Sequence, residues 1–127
     1  MILFFVLAEK NTSQISRGRG KGGLATIWKR GLTKYVMKIE CNNSRLQATK
    51  FDFPSGSLLV LNVYFPCDPR VNNFDDTEVL TLLADIKTAI GTSHCHHILL
   101  CGDLNCHFER YNRYTNTVKD FLEDINF

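Results

Sequence analysis

The chain predicts a layered α/β (α+β) fold with its strands concentrated early and its helices late. Three observations carry that prediction. The run Ser57–Phe65 is almost continuously apolar and stops at Pro66, as a central strand covered on both faces does. Val79, Leu82, Leu83, Ile86, Ala89 and Ile90 recur at helical spacing between Asp75 and Ile90. A second apolar run, Ile98-Leu99-Leu100-Cys101, then ends at Gly102. A helix long enough for a crossover therefore joins two strands, and their ends should point the same way.

In chain order, the opening segment 2–8 reads as a buried strand. No basic region precedes its short apolar stretch, so it is not read as a secretory leader, and it is far too short to span a bilayer. Asn11 to Gly20, rich in Ser, Gly and basic residues, reads as an exposed loop. Strands are expected at about 22–29, 35–40 and 45–53, ahead of the central one at 57–65. The helix over 75–90 should start on a capping box formed by Asp75 and Glu78 and end with Gly91 as its C′ residue. A buried strand at about 97–101 follows. The last helix, about Thr115 to Ile125, places Val118, Phe121, Leu122 and Ile125 on one face.

At 127 residues the chain is a single domain, 1–127, large enough for a core. Its 44% hydrophobic and 22% charged residues are an ordinary globular balance and exclude a low-complexity or disordered chain. A net charge of +2 is too small to prove a nucleic-acid partner. Distribution says more: Arg17, Arg19 and Lys21 cluster in a Gly-rich segment with Lys29 and Arg30 close behind. Such a stripe suits a phosphate backbone, and it equally suits a solvated loop. Five cysteines make an odd count without framework spacing, and Cys101 inside an apolar run reads as a buried free thiol. That pattern favours an intracellular location, cytoplasmic or nuclear, over a secreted disulfide scaffold. His94, Cys95, His96 and His97 offer soft ligands near Cys101, Cys106 and His107. They match no zinc spacing, and a strand between them sends neighbours to opposite faces.

The chemistry concentrates at two strand ends. Gly102-Asp103-Leu104-Asn105 presents a carboxylate and a carboxamide two residues apart, directly after an apolar strand. Asp103 there can hold a hard cation or activate water, and Asn105 can orient water or a phosphate oxygen. Tyr64 closes the central strand, where a phenol can donate to an anionic oxygen. Each has a bland reading as well: an Asx turn for Asp103, and a ring packed on the core edge for Tyr64.

Three strings in order, Gly22-Gly23-Leu24-Ala25-Thr26-Ile27-Trp28, Asn62-Val63-Tyr64-Phe65-Pro66 and Ile98 through Asn105, resemble the endonuclease/exonuclease/phosphatase superfamily. The nearest likeness is to the endonuclease domain of non-LTR retrotransposons, related to apurinic/apyrimidinic endonucleases. The resemblance implies a four-layer sandwich of two packed mixed sheets flanked by helices. It also implies hydrolysis of DNA phosphodiesters with Mg²⁺, Mn²⁺ being an alternative, in a parent protein that also carries a reverse transcriptase. Carried over by position, Asp103 would activate the attacking water and Asn105 would orient it or the phosphate. Tyr64 would contact the phosphate, and Asp103 is also the candidate metal ligand. The chain departs from the pattern at both ends. The family's early Asn and metal-binding Glu would precede Met1, and its closing Asp-His pair would follow Phe127, so the domain is expected to be incomplete. Glu9 is a substitute for that Glu by type, although too little chain separates it from Gly23. These departures imply impaired hydrolysis by this chain and leave a second reading beside the nuclease: a non-catalytic relic or weak nucleic-acid-binding module that keeps part of the fold.

Overall fold

The structure is a computed structural model and describes residues 2–7, 23–67, 76–106, 109 and 114–126. It contains β1 (Ile2–Leu7), β2 (Leu24–Lys29), a 3₁₀ turn (Arg30–Tyr35), β3 (Val36–Ile39), β4 (Leu46–Phe53) and β5 (Gly56–Tyr64). Then come α1 (Thr77–Ser93), β6 (His97–Asp103) and α2 (Thr115–Asp124). β1 and β2 pair antiparallel as one sheet, while a second, mixed sheet runs β3-β4-β5-β6. In it β5 lies antiparallel to β4 and parallel to β6. The apolar run at 57–65 thus takes the central position expected of it, and α1 forms the crossover to β6.

Alternation along β4 and β5 divides the larger sheet into two faces. Leu46 and Ala48 of β4, with Leu59, Leu61 and Val63 of β5, meet Val79, Leu82, Leu83 and Ile86 of α1 and Val118 of α2 in one buried cluster. Each fully buried Leu or Ile there is worth roughly 1.5–3 kcal/mol of transfer free energy. The opposite face meets β2. Thr26 Oγ1 donates to Gln47 Oε1 (2.8 Å), Asn62 Nδ2 donates to the Ala25 carbonyl (3.0 Å), and Trp28 sits edge-on to Phe51 with centroids 6.3 Å apart. The described residues therefore layer as sheet, sheet and helices, an α+β arrangement in which only the larger sheet is mixed.

Three local expectations change. The helix begins after Asp76, whose side chain makes no capping bond. The expected capping residue Asp75 lies outside the described residues, and Glu78 instead pairs with Arg45 across from β4 at 2.5 Å. Gly91 does not end the helix. Thr92 and Ser93 hydroxyls return to the Thr88 and Ile90 carbonyls, both 2.9 Å, and His94 at φ 50° takes the left-handed cap. Finally, β6 is not buried. Among the described residues it pairs with β5 alone, and its Leu99 is 49% exposed with Cys101 also at the surface. β2 covers β4 and β5 but not β6 among the described residues, so an apolar run that reads as two-faced burial is covered on its helix side alone.

The far end of the sheet is clasped by a side chain. Ser57 N donates to His96 Nδ1 (3.2 Å), whose ring nitrogen also lies 2.9 Å from Ser57 Oγ, and His96 N donates back to that hydroxyl (3.1 Å). Because Nδ1 accepts a backbone N–H, the ring proton sits on Nε2. This reciprocal tie fixes the start of β5 to the start of β6.

Candidate active site

Parallel pairing places Tyr64 opposite Asp103 at the ends of β5 and β6. The pairing brings the two residues side by side at one end of the sheet. Both are solvent-accessible, Tyr64 at 37%. The expectation that the two strand ends point the same way is met at single-residue register.

Gly102 makes the close approach that sets this register. Its φ is +121°, and a Cβ there would lie 2.0 Å from the Val63 carbonyl oxygen, inside any allowed contact. Beyond it, Phe65 N donates to the Asp103 carbonyl at 2.8 Å. Asn105, itself at φ +47°, donates its backbone N–H to Asp103 Oδ1 (2.9 Å) and its Nδ2 to the Phe65 carbonyl (2.7 Å). The Asx turn expected as the bland reading of Asp103 is therefore present. It fixes the carboxylate and leaves Oδ2 without a bonded partner among the described residues. Asn105 is committed in part to holding the two strand ends together, beside the role of orienting substrate that its position suggests.

Arg45, which the sequence motifs miss, shapes the Tyr64 side. Its guanidinium carbon lies 5.3 Å from the Tyr64 ring centroid, its Nε is bonded to Glu78, and its Nη1 reaches the Tyr64 carbonyl at 3.4 Å. Asn43 sets it up: Oδ1 accepts from Arg45 N (3.0 Å) while Nδ2 donates to Asp85 of α1 (2.8 Å). A sequence signal did exist, since the residue that opens a strand antiparallel to β5 must lie beside the residue that closes β5. On the other flank, Cys67 Sγ is 4.0 Å from the Tyr64 hydroxyl. The Cys67 carbonyl accepts from the buried Tyr114 hydroxyl at 3.5 Å, which ties the segment after β5 to the start of α2. Burial, followed by the neighbouring Asp103 carboxylate, pushes the Cys106 thiol up from its ordinary value.

The residues expected to bind nucleic acid, Arg17, Arg19 and Lys21, lie outside the described residues, as do Glu9 and His107. Among the described residues no three His, Cys, Asp or Glu side chains gather as a metal site. Mg²⁺ demands near-octahedral oxygen ligation. Among the described residues Asp103 is the one carboxylate at these strand ends, so by themselves they do not complete a Mg²⁺ site. No helix among them is long and apolar enough to cross a membrane.

No curated protein and no solved structure matches the chain. A family model does: residues 4–120 match that of the Endonuclease/Exonuclease/phosphatase family, whose members in general hydrolyse phosphate esters or phosphodiesters with a divalent metal. With the match spanning nearly the whole chain, and with its strand ends presenting a phenol and a carboxylate in register, the chain belongs to the Endonuclease/Exonuclease/phosphatase family.

Proposed function

We propose that the chain carries the hydrolytic centre of a Mg²⁺-dependent, DNA-nicking endonuclease of the kind borne by non-LTR retrotransposons, in a protein that also bears a reverse transcriptase. The observation that carries this reading is the register of Tyr64 with Asp103 on adjacent parallel strands. In open α/β sheets the carboxyl ends of strands are where ligands sit.

The chain's own residues supply two parts of such a reaction. Asp103, anchored through Oδ1, offers Oδ2 to take a proton from water as that water bonds to phosphorus. One P–O ester bond breaks in return, its oxygen leaving with the cut strand end. Tyr64, with its ring under Arg45, offers its hydroxyl to a non-bridging phosphate oxygen as charge builds there. Asn105 keeps the β6 end against Phe65, so the distance between these two groups does not drift. A divalent ion supplies charge neutralisation when bound. The described residues do not complete its ligand set, and no step here passes through it.

Nicking of supercoiled DNA by the chain, with Mg²⁺ and with chelator, tests the reading. Asp103→Ala should lower the rate by roughly 10²–10⁴-fold, the usual worth of a general base. Tyr64→Phe should lower it by roughly 10²-fold, the worth of one transition-state donor. Nicking unaffected by Asp103→Ala sinks the assignment. Salt-dependent DNA binding without any hydrolysis favours the binding-module reading instead.

A further inference from the structure

Between the two sheets, away from the strand ends, lies a cleft of about 220 Å³ lined by Trp28, Thr33, Val36, Lys38, Gln47 and Thr49. Two of its walls are buried polar side chains, Gln47 at 5% and Thr49 at 3% exposure. Gln47 uses its Oε1 to accept from Thr26, and its Nε2 has no hydrogen-bond partner among the described residues. The Thr49 hydroxyl likewise has none. Buried polar groups are nearly always bonded, so two of them on one cleft call for an explanation.

The chemistry of the walls narrows what fits. The free group of Gln47 is a donor, the Thr49 hydroxyl can donate, and Lys38 brings an ammonium that pairs with Glu40 at 3.1 Å and is still accessible. Trp28 donates its Nε1 to Thr33 Oγ1 (3.2 Å), so what it adds to the wall is ring surface. A mostly apolar cleft with an aromatic wall and a few donors suits a flat ring edged with acceptors. At this volume, below that of clefts that take drug-sized ligands, the ring is a single one. We infer that this cleft binds a pyrimidine of the uracil or thymine type, its carbonyl oxygens facing Gln47 Nε2 and the Thr49 hydroxyl and its ring lying against Trp28. Cytosine, which presents an amino donor where uracil has a carbonyl, is disfavoured by the same walls. The inference stands apart from the hydrolytic reading, because none of these residues belongs to the Tyr64 and Asp103 site.

Trp28 is the chain's one tryptophan, so its fluorescence reports on this cleft directly. Titration of the full chain with uridine and with thymidine should give a saturable change with Kd on the order of 0.1–1 mM, as ligand efficiency sets for a fragment of this size. Cytidine should bind about tenfold more weakly. Gln47→Leu should weaken uridine binding about tenfold at some cost in stability, since it also removes the acceptor of Thr26. Thr49→Val should weaken it severalfold while keeping or raising the melting temperature. Should Gln47→Leu not fold, Thr49→Val carries the same comparison. No saturable response, equal binding of cytidine, or full binding by the folded variants overturns the inference and leaves the cleft a packing gap. A response to oligothymidylate alone, with none to free uridine or thymidine, also overturns it by assigning the signal to backbone contacts.

Discussion

Gly102→Ala is the substitution to which this fold should be most sensitive, and its cost follows from two separate terms. The first is conformational: φ of +121° is a region an L side chain rarely adopts, and holding alanine there costs about 1–3 kcal/mol. The second is steric. The new Cβ would lie 2.0 Å from the Val63 carbonyl oxygen and 2.8 Å from the Val63 nitrogen, both backbone atoms of the neighbouring strand that no rotamer change can move aside. The strands must part locally, which threatens the Phe65 N to Asp103 O and Asn105 Nδ2 to Phe65 O bonds at about 1 kcal/mol each. The sum is about 3–5 kcal/mol, a large share of the roughly 5–15 kcal/mol that stabilises a typical domain. For a chain of this length each kcal/mol moves the midpoint by roughly 3–5 °C, so the melting temperature should drop by about 10–20 °C. Gly91→Ala is the control. It lies within α1, where an added Cβ would meet nothing within 4 Å, and alanine there should stabilise by about 0.4–1 kcal/mol. Thermal and urea denaturation of the two variants beside the parent make the comparison. A Gly102→Ala variant within about 1 kcal/mol of the parent would refute the close β5 to β6 approach on which the site depends.

Three further outcomes are expected. Arg45→Ala should cost only about 1 kcal/mol in urea denaturation, because its stacking on Tyr64 is worth about 0.5–1 kcal/mol and its pair with Glu78 is too exposed to add much more. Cys106 should alkylate slowly, since burial first and Asp103 second hold its thiol protonated. Asp103→Asn should speed that reaction, which peptide mapping of labelled protein would quantify. Cys41, pushed up chiefly by burial and further by the Asp85 and Glu40 carboxylates, keeps in the fold a proton that the unfolded chain releases near its ordinary value of 9.0. Its contribution to stability is therefore complete below that value and is lost as pH rises through the raised folded pKa, and Cys41→Ala should flatten this alkaline fall in denaturation midpoints.

The elements were legible in the sequence where a pattern had one physical cause. The run ending at Pro66 became the central strand, and the heptad-like spacing of Val79, Leu82, Leu83 and Ile86 became the buried face of α1. The site was legible as residue types at strand ends, and its register was implied by the crossover. What did not show was anything decided by neighbours distant in sequence. An unbroken apolar run does not reveal whether both of its faces are covered, so Leu99 and Cys101 on the one-sided β6 were expected inside. Gly91 looked like a helix stop, yet hydroxyls from Thr92 and Ser93 satisfy the last turn and let His94 take the cap. Arg45 belongs to no motif, and its place in the site comes only from pairing the start of β4 with the end of β5. Gln47 and Thr49 read as ordinary strand residues, and only the second sheet makes them walls of a cleft.

The strand ends also separate two kinds of work. A shift of one residue in the β5 to β6 pairing would take Tyr64 out of register with Asp103, so the proposed reaction tolerates no slip. Three features prevent it: the Gly102 contact with Val63, the Phe65 N to Asp103 O bond, and the Asn105 side chain closed on the Phe65 carbonyl. None of the three uses the Tyr64 hydroxyl or Asp103 Oδ2. The groups to which the proposed reaction gives chemistry are thus held by groups to which it gives none. Replacing Asp103 by Asn should therefore leave the melting temperature within about 2–4 °C of the parent, because Oδ1 can still accept from Asn105 N, while removing the carboxylate that the proposed reaction uses as its base. A large stability loss on that isosteric change would mean that the carboxylate is structural, and that the register exists to fold the protein and not to position its chemistry.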